Sequence, residues 1–180
     1  MSCKWEGCNK PTVNNSQYCY EHKAKARQAW LENVRASSEE RQDRYAKFAQ
    51  AHEKAHQAGL QAGQNAIPTP MVVYDSEIDM VNGQLVDRPK ENGKQYYVPE
   101  GVCGFAWITV RPGNSSLENW LKKHADASHD YYGGVSVWVH EFGQSYERKR
   151  AYAKAYADTL RAELADSKSK LTITTGSRLD

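Results

Sequence analysis

Large apolar side chains are scarce in this sequence. Its 180 residues include only 3 Phe, 3 Met and 5 Trp, so the core that they can form is small. No apolar run approaches the length of a membrane-spanning helix, and the first residues, MSCKWEGC, lack the apolar stretch of a signal peptide. The sequence therefore argues against a membrane-spanning protein and against secretion through a signal peptide.

An excess of one charge is also missing. The formal net charge is only +2 at pH 7, which is too small by itself to indicate a nucleic-acid partner. Cysteines are few, but three of the four lie within the first 19 residues, close to a histidine. This grouping suits a reducing compartment and a bound metal better than it suits disulfides.

The clustered cysteines are spaced as metal ligands. Cys3, Cys8, Cys19 and His22 form the pattern C-x4-C-x10-C-x2-H, in which two close pairs of ligands are separated by a ten-residue loop. Three thiolates and one imidazole fill the tetrahedral shell of Zn²⁺ and leave no open position, as in structural sites. The sequence predicts a zinc-binding module over residues 1–22 that is stabilised by one structural zinc ion. The alternative is a set of free, reduced cysteines.

Basic and aromatic residues surround this motif. Trp5 could stack on bases, and Lys4, Lys10 and Lys23 could contact phosphates. These residues could equally form an ordinary solvated surface, which is the interpretation that we favour. The motif resembles the short zinc fingers of phage and bacterial proteins, some of which bind nucleic acid. That resemblance implies zinc and no particular target.

Residues 23–66 are predicted to be helical and polar. They are rich in Ala, Gln, Glu, Lys and Arg and contain no proline. Ser37 and Glu40 form a capping-box pattern, which predicts that a second helix begins near Ser38. The large apolar residues are too widely spaced to form a broad buried stripe, so we expect an interaction arm outside the core. Its densest apolar group is the predicted anchor for a protein partner or a second copy: Trp30, Leu31 and Val34.

A second metal-like pattern, HEKAHQAG, lies in this segment. His52, Glu53 and His56 fit the H-E-x-x-H pattern of zinc metalloproteases, in which the histidines bind zinc and the glutamate activates water. The extended form of that pattern needs another histidine at position 62, where this chain has Ala62. We interpret the match as a chance product of a helix rich in Ala, Glu, Lys and His. No catalytic residue is predicted, and a metalloprotease is the less favoured alternative.

Residues 67–180 are predicted to form the body of the protein. IPTP at 67–70 is a stiff linker, because proline restricts its own backbone and that of the preceding residue. Strands and helices then follow in the order β-α-β-α-β, which predicts an α+β domain with a small sheet covered by helices. The signals are Asn-Gly turns at 82–83 and 92–93, an apolar strand at 104–110, helices from Ser115 and Ser145, and a strand at 170–175.

The helix from Ser145 carries a cluster of basic residues that is predicted to face water. This face could contact phosphates of a nucleic acid, and it supplies the alternative function of a nucleic-acid-binding regulator. The cluster consists of Arg148, Lys149, Arg150 and Lys154.

Residues 101–180 resemble a group of uncharacterised tailed-phage proteins. The resemblance rests on CGFAWITVRPGNS at 103–115, YYGGVSVWV at 131–139 and the terminal SRLD. It implies a phage origin and, as location, the host cytoplasm or the virion, but it implies no activity. We expect a non-enzymatic accessory protein that docks onto a larger assembly, either a virion part or a nucleoprotein complex.

Overall fold

The computed structural model describes residues 1–13, 16–165 and 171–180, which fall into two compact units, Met1–Lys47 and Phe48–Asp180. Within this part of the chain the helices are α1 Tyr20–Asn65, α2 Ser116–His124 and α3 Tyr146–Glu163. The strands are β1 Met71–Tyr74, β2 Ser76–Val81, β3 Gln84–Pro89, β4 Gln95–Val98, β5 Gly104–Arg111, β6 Ser128–His129, β7 Val135–Trp138 and β8 Thr172–Leu179.

Helix α1 is continuous, so the prediction of a second helix starting near Ser38 is wrong. Ser37 lies inside α1, and its hydroxyl donates to the carbonyl oxygens of Asn33 at 2.8 Å and Val34 at 3.1 Å. The strong helix propensity of the surrounding residues outweighs the local capping pattern. None of the described helices is long and apolar enough to cross a bilayer.

The second half of α1 is part of the core of Phe48–Asp180, which corrects the interpretation of residues 23–66 as an arm. Small residues recur every fourth position on its buried face: Ala51, Ala55, Gly59 and Gly63. They let the helix approach large rings closely. A Cβ on Gly59 would lie 2.8 Å from the ring of Tyr152, and one on Gly63 would lie 2.2 Å from the ring of Phe142.

Four strands of the second unit form one antiparallel sheet in the order β6-β7-β5-β8. Helix α2 connects β5 to β6, and α3 connects β7 to β8. This connectivity is the split β-α-β arrangement of ferredoxin-like topologies. The α+β fold class predicted from the sequence is confirmed. The two-residue strand β6 was not predicted, and residue 170 of the last predicted strand lies outside the described residues.

The core lies between the sheet and helices α2 and α3. On β5, every second side chain is fully buried: Ala106, Ile108 and Val110. They share this interior with Leu117 and Leu121 of α2 and with Ala157 and Leu160 of α3. Helix α2 begins with the predicted capping box, in which Ser115 and Glu118 each accept a hydrogen bond from the backbone of the other.

Two small hairpin-like sheets precede the main sheet in the chain. Strand β1 pairs with β4, and β2 pairs with β3 through the predicted turn at Asn82 and Gly83. Both turn residues have positive φ, 52° and 78°, as a two-residue hairpin turn of this kind requires.

Candidate metal centre

The four ligands predicted from the sequence come together in Met1–Lys47. The Sγ atoms of Cys3, Cys8 and Cys19 and a ring nitrogen of His22 all lie within 4.8 Å of one another. Nδ1 of His22 is 3.4 Å from Sγ of Cys19 and 3.7 Å from Sγ of Cys3, and the Sγ atoms of Cys8 and Cys19 are 3.9 Å apart. This arrangement is compatible with a bound metal ion.

Short backbone contacts position the first two cysteines. The backbone N–H of Cys3 donates to the carbonyl of Lys10 at 2.9 Å and holds the chain in a narrow loop. The backbone N–H of Cys8 donates to the carbonyl of Trp5 at 3.0 Å and closes a tight turn. Gly7 lies in that turn with φ 75°, a conformation that glycine adopts without steric cost.

The start of α1 positions the other two ligands. Cys19 directly precedes the helix, and its carbonyl accepts the backbone N–H of His22 at 3.2 Å and of Lys23 at 2.9 Å. Its own backbone N–H points at Sγ of Cys3, at 3.3 Å. Free N–H groups at a helix start favour negative charge, so the helix supports thiolates here.

Trp5 fixes the orientation of the histidine ligand. Its ring stacks on the His22 ring at a centroid distance of 4.9 Å and an interplanar angle of 10°. Tyr18 packs edge-on against Trp5 at 6.5 Å. One face of the Trp5 ring therefore packs against His22 inside the module. Sequence reasoning missed this supporting role, although an aromatic residue two positions after Cys3 was a visible signal.

The thiols of the cluster influence each other's ionisation. Burial alone would raise the pKa of Cys3, but hydrogen bonds from backbone N–H groups, His22 and Cys19 outweigh it and bring that pKa to about 6. At Cys8 the backbone N–H of Lys10 favours the thiolate, but burial and the neighbouring sulfurs outweigh it and raise the pKa. A bound cation would relieve this repulsion between sulfurs.

One of the three lysines near the cluster forms an ion pair within the protein. Lys10 forms an ion pair with Glu21. The Glu21 carboxylate raises the pKa of Lys10, and the Lys10 ammonium lowers the pKa of Glu21. Lys4 and Lys23, the other predicted phosphate contacts, are solvent-exposed.

The H-E-x-x-H residues are used in packing. Nδ1 of His52 is 2.6 Å from the hydroxyl of Tyr156, and Nδ1 of His56 is 2.5 Å from the hydroxyl of Tyr152. Glu53 is exposed and accepts a hydrogen bond from Gln57 at 3.0 Å. In the described part of the chain, the Cys3–His22 cluster is the one group of three or more residues that could hold a metal ion.

The predicted basic face of α3 is largely occupied by contacts within the protein. Arg148 pairs with Glu100 at 2.7 Å and donates to two carbonyls at the end of α1. Lys149 is only 5% exposed, so the prediction that it faces water is wrong. Arg150 lies over a tyrosine ring, and Lys154 pairs with Asp158 at 3.0 Å.

The predicted anchor residues form an exposed apolar group on the first half of α1. Trp30, Leu31 and Val34 are 61%, 50% and 45% exposed. Leu31 also lines a shallow groove of about 650 Å³, together with Val13 and Tyr20. This surface belongs to Met1–Lys47, the same unit as the metal-ligand cluster.

Comparison with known proteins returned no relative of this chain. No protein-family model, no curated protein and no solved structure matches it. The metal-ligand cluster and the exposed surfaces are therefore the features from which its function has to be argued.

Proposed function

We propose that Cys3, Cys8, Cys19 and His22 bind one structural Zn²⁺ ion, and that the chain is a non-enzymatic accessory protein that docks onto a larger assembly. The observation that carries this proposal is the convergence of four ligand atoms within 4.8 Å at the start of a helix that bears an exposed apolar group.

The distances suit zinc. A tetrahedral Zn²⁺ with bonds of about 2.3 Å to sulfur and about 2.05 Å to nitrogen places two sulfurs about 3.8 Å apart and a sulfur and a nitrogen about 3.6 Å apart. The structure has 3.9 Å for the Cys8–Cys19 pair and 3.4 and 3.7 Å for the pairs with His22. Four protein ligands leave no position for water or substrate, which supports a structural role.

The first half of α1 supports the docking role. Exposed Trp30 and Val34 are one helical turn apart, and Leu31 joins them to the adjacent groove. A large tryptophan at such a position often dominates an interface. Lys23 and Arg27 also line the groove, so the partner segment that fits it is apolar with acidic residues beside it. A tailed-phage assembly is the setting that the sequence resemblance favours.

The metal proposal is tested by elemental analysis of the purified full-length protein. We expect about one equivalent of zinc per chain in the wild type and in Cys103→Ser, since Cys103 is exposed and lies outside the cluster. Cys8→Ser should bind zinc far more weakly. Absence of zinc from the wild type, or equal retention by both variants, would contradict the proposal.

The docking proposal is tested by co-purification with the assembly and by light scattering of the isolated protein. Trp30→Ala should weaken partner binding by about 30-fold if Trp30 is a hot spot worth about 2 kcal/mol. Glu39→Ala, at an exposed position of α1 that does not line the groove, is the matched control. Self-association lost in Trp30→Ala would identify a second copy as the partner. An unchanged assembly in Trp30→Ala would refute this docking surface.

A further inference from the structure

The main sheet has a second face, opposite to α2 and α3. Because side chains alternate along a strand, Phe105 and Trp107 of β5 point away from the buried Ala106 and Ile108. The register places Trp107 opposite Trp138 of β7. Trp138 is 36% exposed, and the outer positions Thr174 and Arg178 of β8, the other neighbour of β5, are exposed as well. We call Phe105, Trp107 and Trp138 the aromatic patch.

The rings of the aromatic patch contact one another. Trp107 and Trp138 have a centroid distance of 5.0 Å and an interplanar angle of 37°. Phe105 meets Trp138 edge-on at 6.3 Å. The patch therefore occupies the two central strands of the sheet as one continuous aromatic surface.

A glycine leaves room for the Trp107 indole on this face of the sheet. Gly176 of β8 is the register partner of Trp107, and a Cβ at this position would lie 2.4 Å from Cε2 of the indole. The indole thus covers the backbone of Gly176 with one side.

Two cations lie beside the aromatic patch. Cζ of Arg178 is 5.3 Å from the centroid of the Phe105 ring, and Nζ of Lys149 is 5.5 Å from it. Neither forms an ion pair with any residue that the structure describes. Asp180 follows Arg178 closely but is outside ion-pair distance. Arg178 is exposed and is therefore available to an anionic ligand, whereas Lys149 is only 5% exposed and is not.

The negative charge of Asp130, at the other end of this face, is compensated by a neighbouring cation. Asp130 accepts a hydrogen bond from Ser136 at 2.6 Å, and Arg111 lies 3.7 Å from it. The Ser136 hydroxyl, further hydrogen bonds and the Arg111 guanidinium hold the pKa of Asp130 below its usual value. Its charge is matched by a neighbouring cation and does not repel an anion along the sheet.

We propose that the aromatic patch, with the exposed Arg178 beside it, binds single-stranded nucleic acid. Aromatic rings on the central strands of a sheet can stack two or three unpaired bases, and an arginine beside them can contact a phosphate. Bases in a duplex are stacked on each other and do not reach such a surface. None of the predicted metal ligands belongs to this site.

The test uses the full-length protein and fluorescently labelled twelve-nucleotide oligo-uridine and oligo-thymidine, with binding followed by anisotropy. Trp138→Ala should weaken binding by about 5- to 150-fold, which corresponds to the loss of one stacked base. Trp138→Phe should restore most of the affinity, because it keeps a ring. Tyr97→Ala removes an exposed ring from a different small sheet and should have no effect.

Salt dependence measures the phosphate contacts. One contact, from Arg178, predicts that log Kd rises with log salt concentration with a slope of about 0.7 for a single strand. Arg178→Ala should reduce this slope by about 0.7 and weaken binding, whereas Arg88→Ala on β3 should change neither. A labelled duplex of the same length should bind more weakly than either single strand. Comparison of the two oligonucleotides distinguishes RNA from DNA.

Several outcomes would overturn the proposal. Equal binding by wild type and Trp138→Ala would remove the aromatic patch from the site. Tighter binding of the duplex than of the single strands would also contradict stacking of unpaired bases on the patch. If no oligonucleotide binds, but Trp138→Ala abolishes self-association in light scattering, the face is a contact between copies. A circular-dichroism melt of each variant shows that the fold is retained.

Discussion

Replacing Tyr156 with Phe removes one hydroxyl from the packing of α1 against α3. Tyr156 is only 1% exposed, and its hydroxyl lies 2.6 Å from Nδ1 of His52. The substitution creates almost no cavity, so its effect reports on this hydrogen bond. If residues 48–65 belong to the core, the variant should be less stable than the wild type.

The expected loss follows from what happens to His52. A hydrogen bond contributes about 0.5–1.5 kcal/mol, and leaving a buried partner unsatisfied raises the cost to about 1–3 kcal/mol. His52 is half-buried, so we expect about 1–2 kcal/mol. For a unit of this size, 1 kcal/mol corresponds to a shift in melting temperature of about 4 °C.

The pH dependence gives a second measurement on the same pair. Burial, and then the nearby His56, lower the pKa of His52, while Glu53 opposes them weakly. The folded state therefore binds this proton less readily than the unfolded state does. The contribution of His52 to stability should be fully present above its unfolded pKa of about 6.5. Below that pH the free energy of unfolding should fall, by at most about 1.4 kcal/mol per pH unit. His52→Leu should flatten this decline.

A double-mutant cycle in urea separates the pair from its surroundings. Tyr156→Phe, His52→Leu and the double variant should show a coupling energy of about 1 kcal/mol, within the range for residues in contact. Tyr97→Phe, which alters an exposed hydroxyl, is the control. A coupling energy near zero, with Tyr156→Phe as stable as wild type, would refute the assignment of this half of α1 to the core.

Three further predictions concern the packing of Phe48–Asp180. Gly59→Ala should lower the free energy of unfolding by about 1 kcal/mol. The added Cβ would lie 2.8 Å from the Tyr152 ring, and this overpacking costs more than the usual gain of about 1 kcal/mol for Ala in a helix. A more stable variant would contradict the close approach of α1 to Tyr152. Burial raises the pKa of Glu118, and its Oε1 has no hydrogen-bond partner among the described residues. The unfolded chain therefore loses this proton more readily than the folded protein does, and the free energy of unfolding falls as the pH rises above the unfolded pKa of about 4.3. Glu118→Gln should therefore be more stable than wild type by about 1 kcal/mol at pH 7 and equal to it near pH 4 in thermal melts. A fragment of residues 48–180 should melt cooperatively by circular dichroism, whereas a fragment of 67–180 should not; the reverse result would restore the boundary at residue 66.

The features predicted correctly from the sequence depend on residues close together in the chain. The capping box at Ser115, the turn at Asn82 and Gly83 and the alternation of strands and helices are all local signals. The cysteine spacing is local too, and it identified residues whose side chains meet. Such features follow from backbone geometry and short loops, which a pattern can represent.

The packing of α1 could not be predicted in this way. Its buried stripe consists of alanine and glycine, which carry little hydrophobicity, and the large rings that cover it come from α3 and the preceding loop. A helix of this kind looks polar when only its own residues are counted. The spacing of four between Ala51, Ala55, Gly59 and Gly63 was the available signal of close helix packing.

The buried position of Lys149 has a related explanation. Basic residues on a helix usually keep their charges in water, and the sequence gives no sign of the surface that covers this one. In the structure, its ammonium lies beside the ring of Phe105, which comes from a strand far away in the chain. The contact depends on tertiary structure, so helical spacing alone could not reveal it.

Strand β5 shows how the demands of folding and binding can be separated in one segment. Its apolar run GFAWITV is typical of a strand buried on both faces, yet the structure buries Ala106, Ile108 and Val110 completely and leaves Phe105 and Trp107 on the other face. The first set is sufficient to explain the packing against α2 and α3. The aromatic side chains of the second set exceed what that packing requires, and they place a large apolar surface next to cations. If the aromatic patch serves binding, polar replacements of Trp138 should leave the melting temperature nearly unchanged while removing the ligand, whereas Ile108→Ala should unfold the sheet.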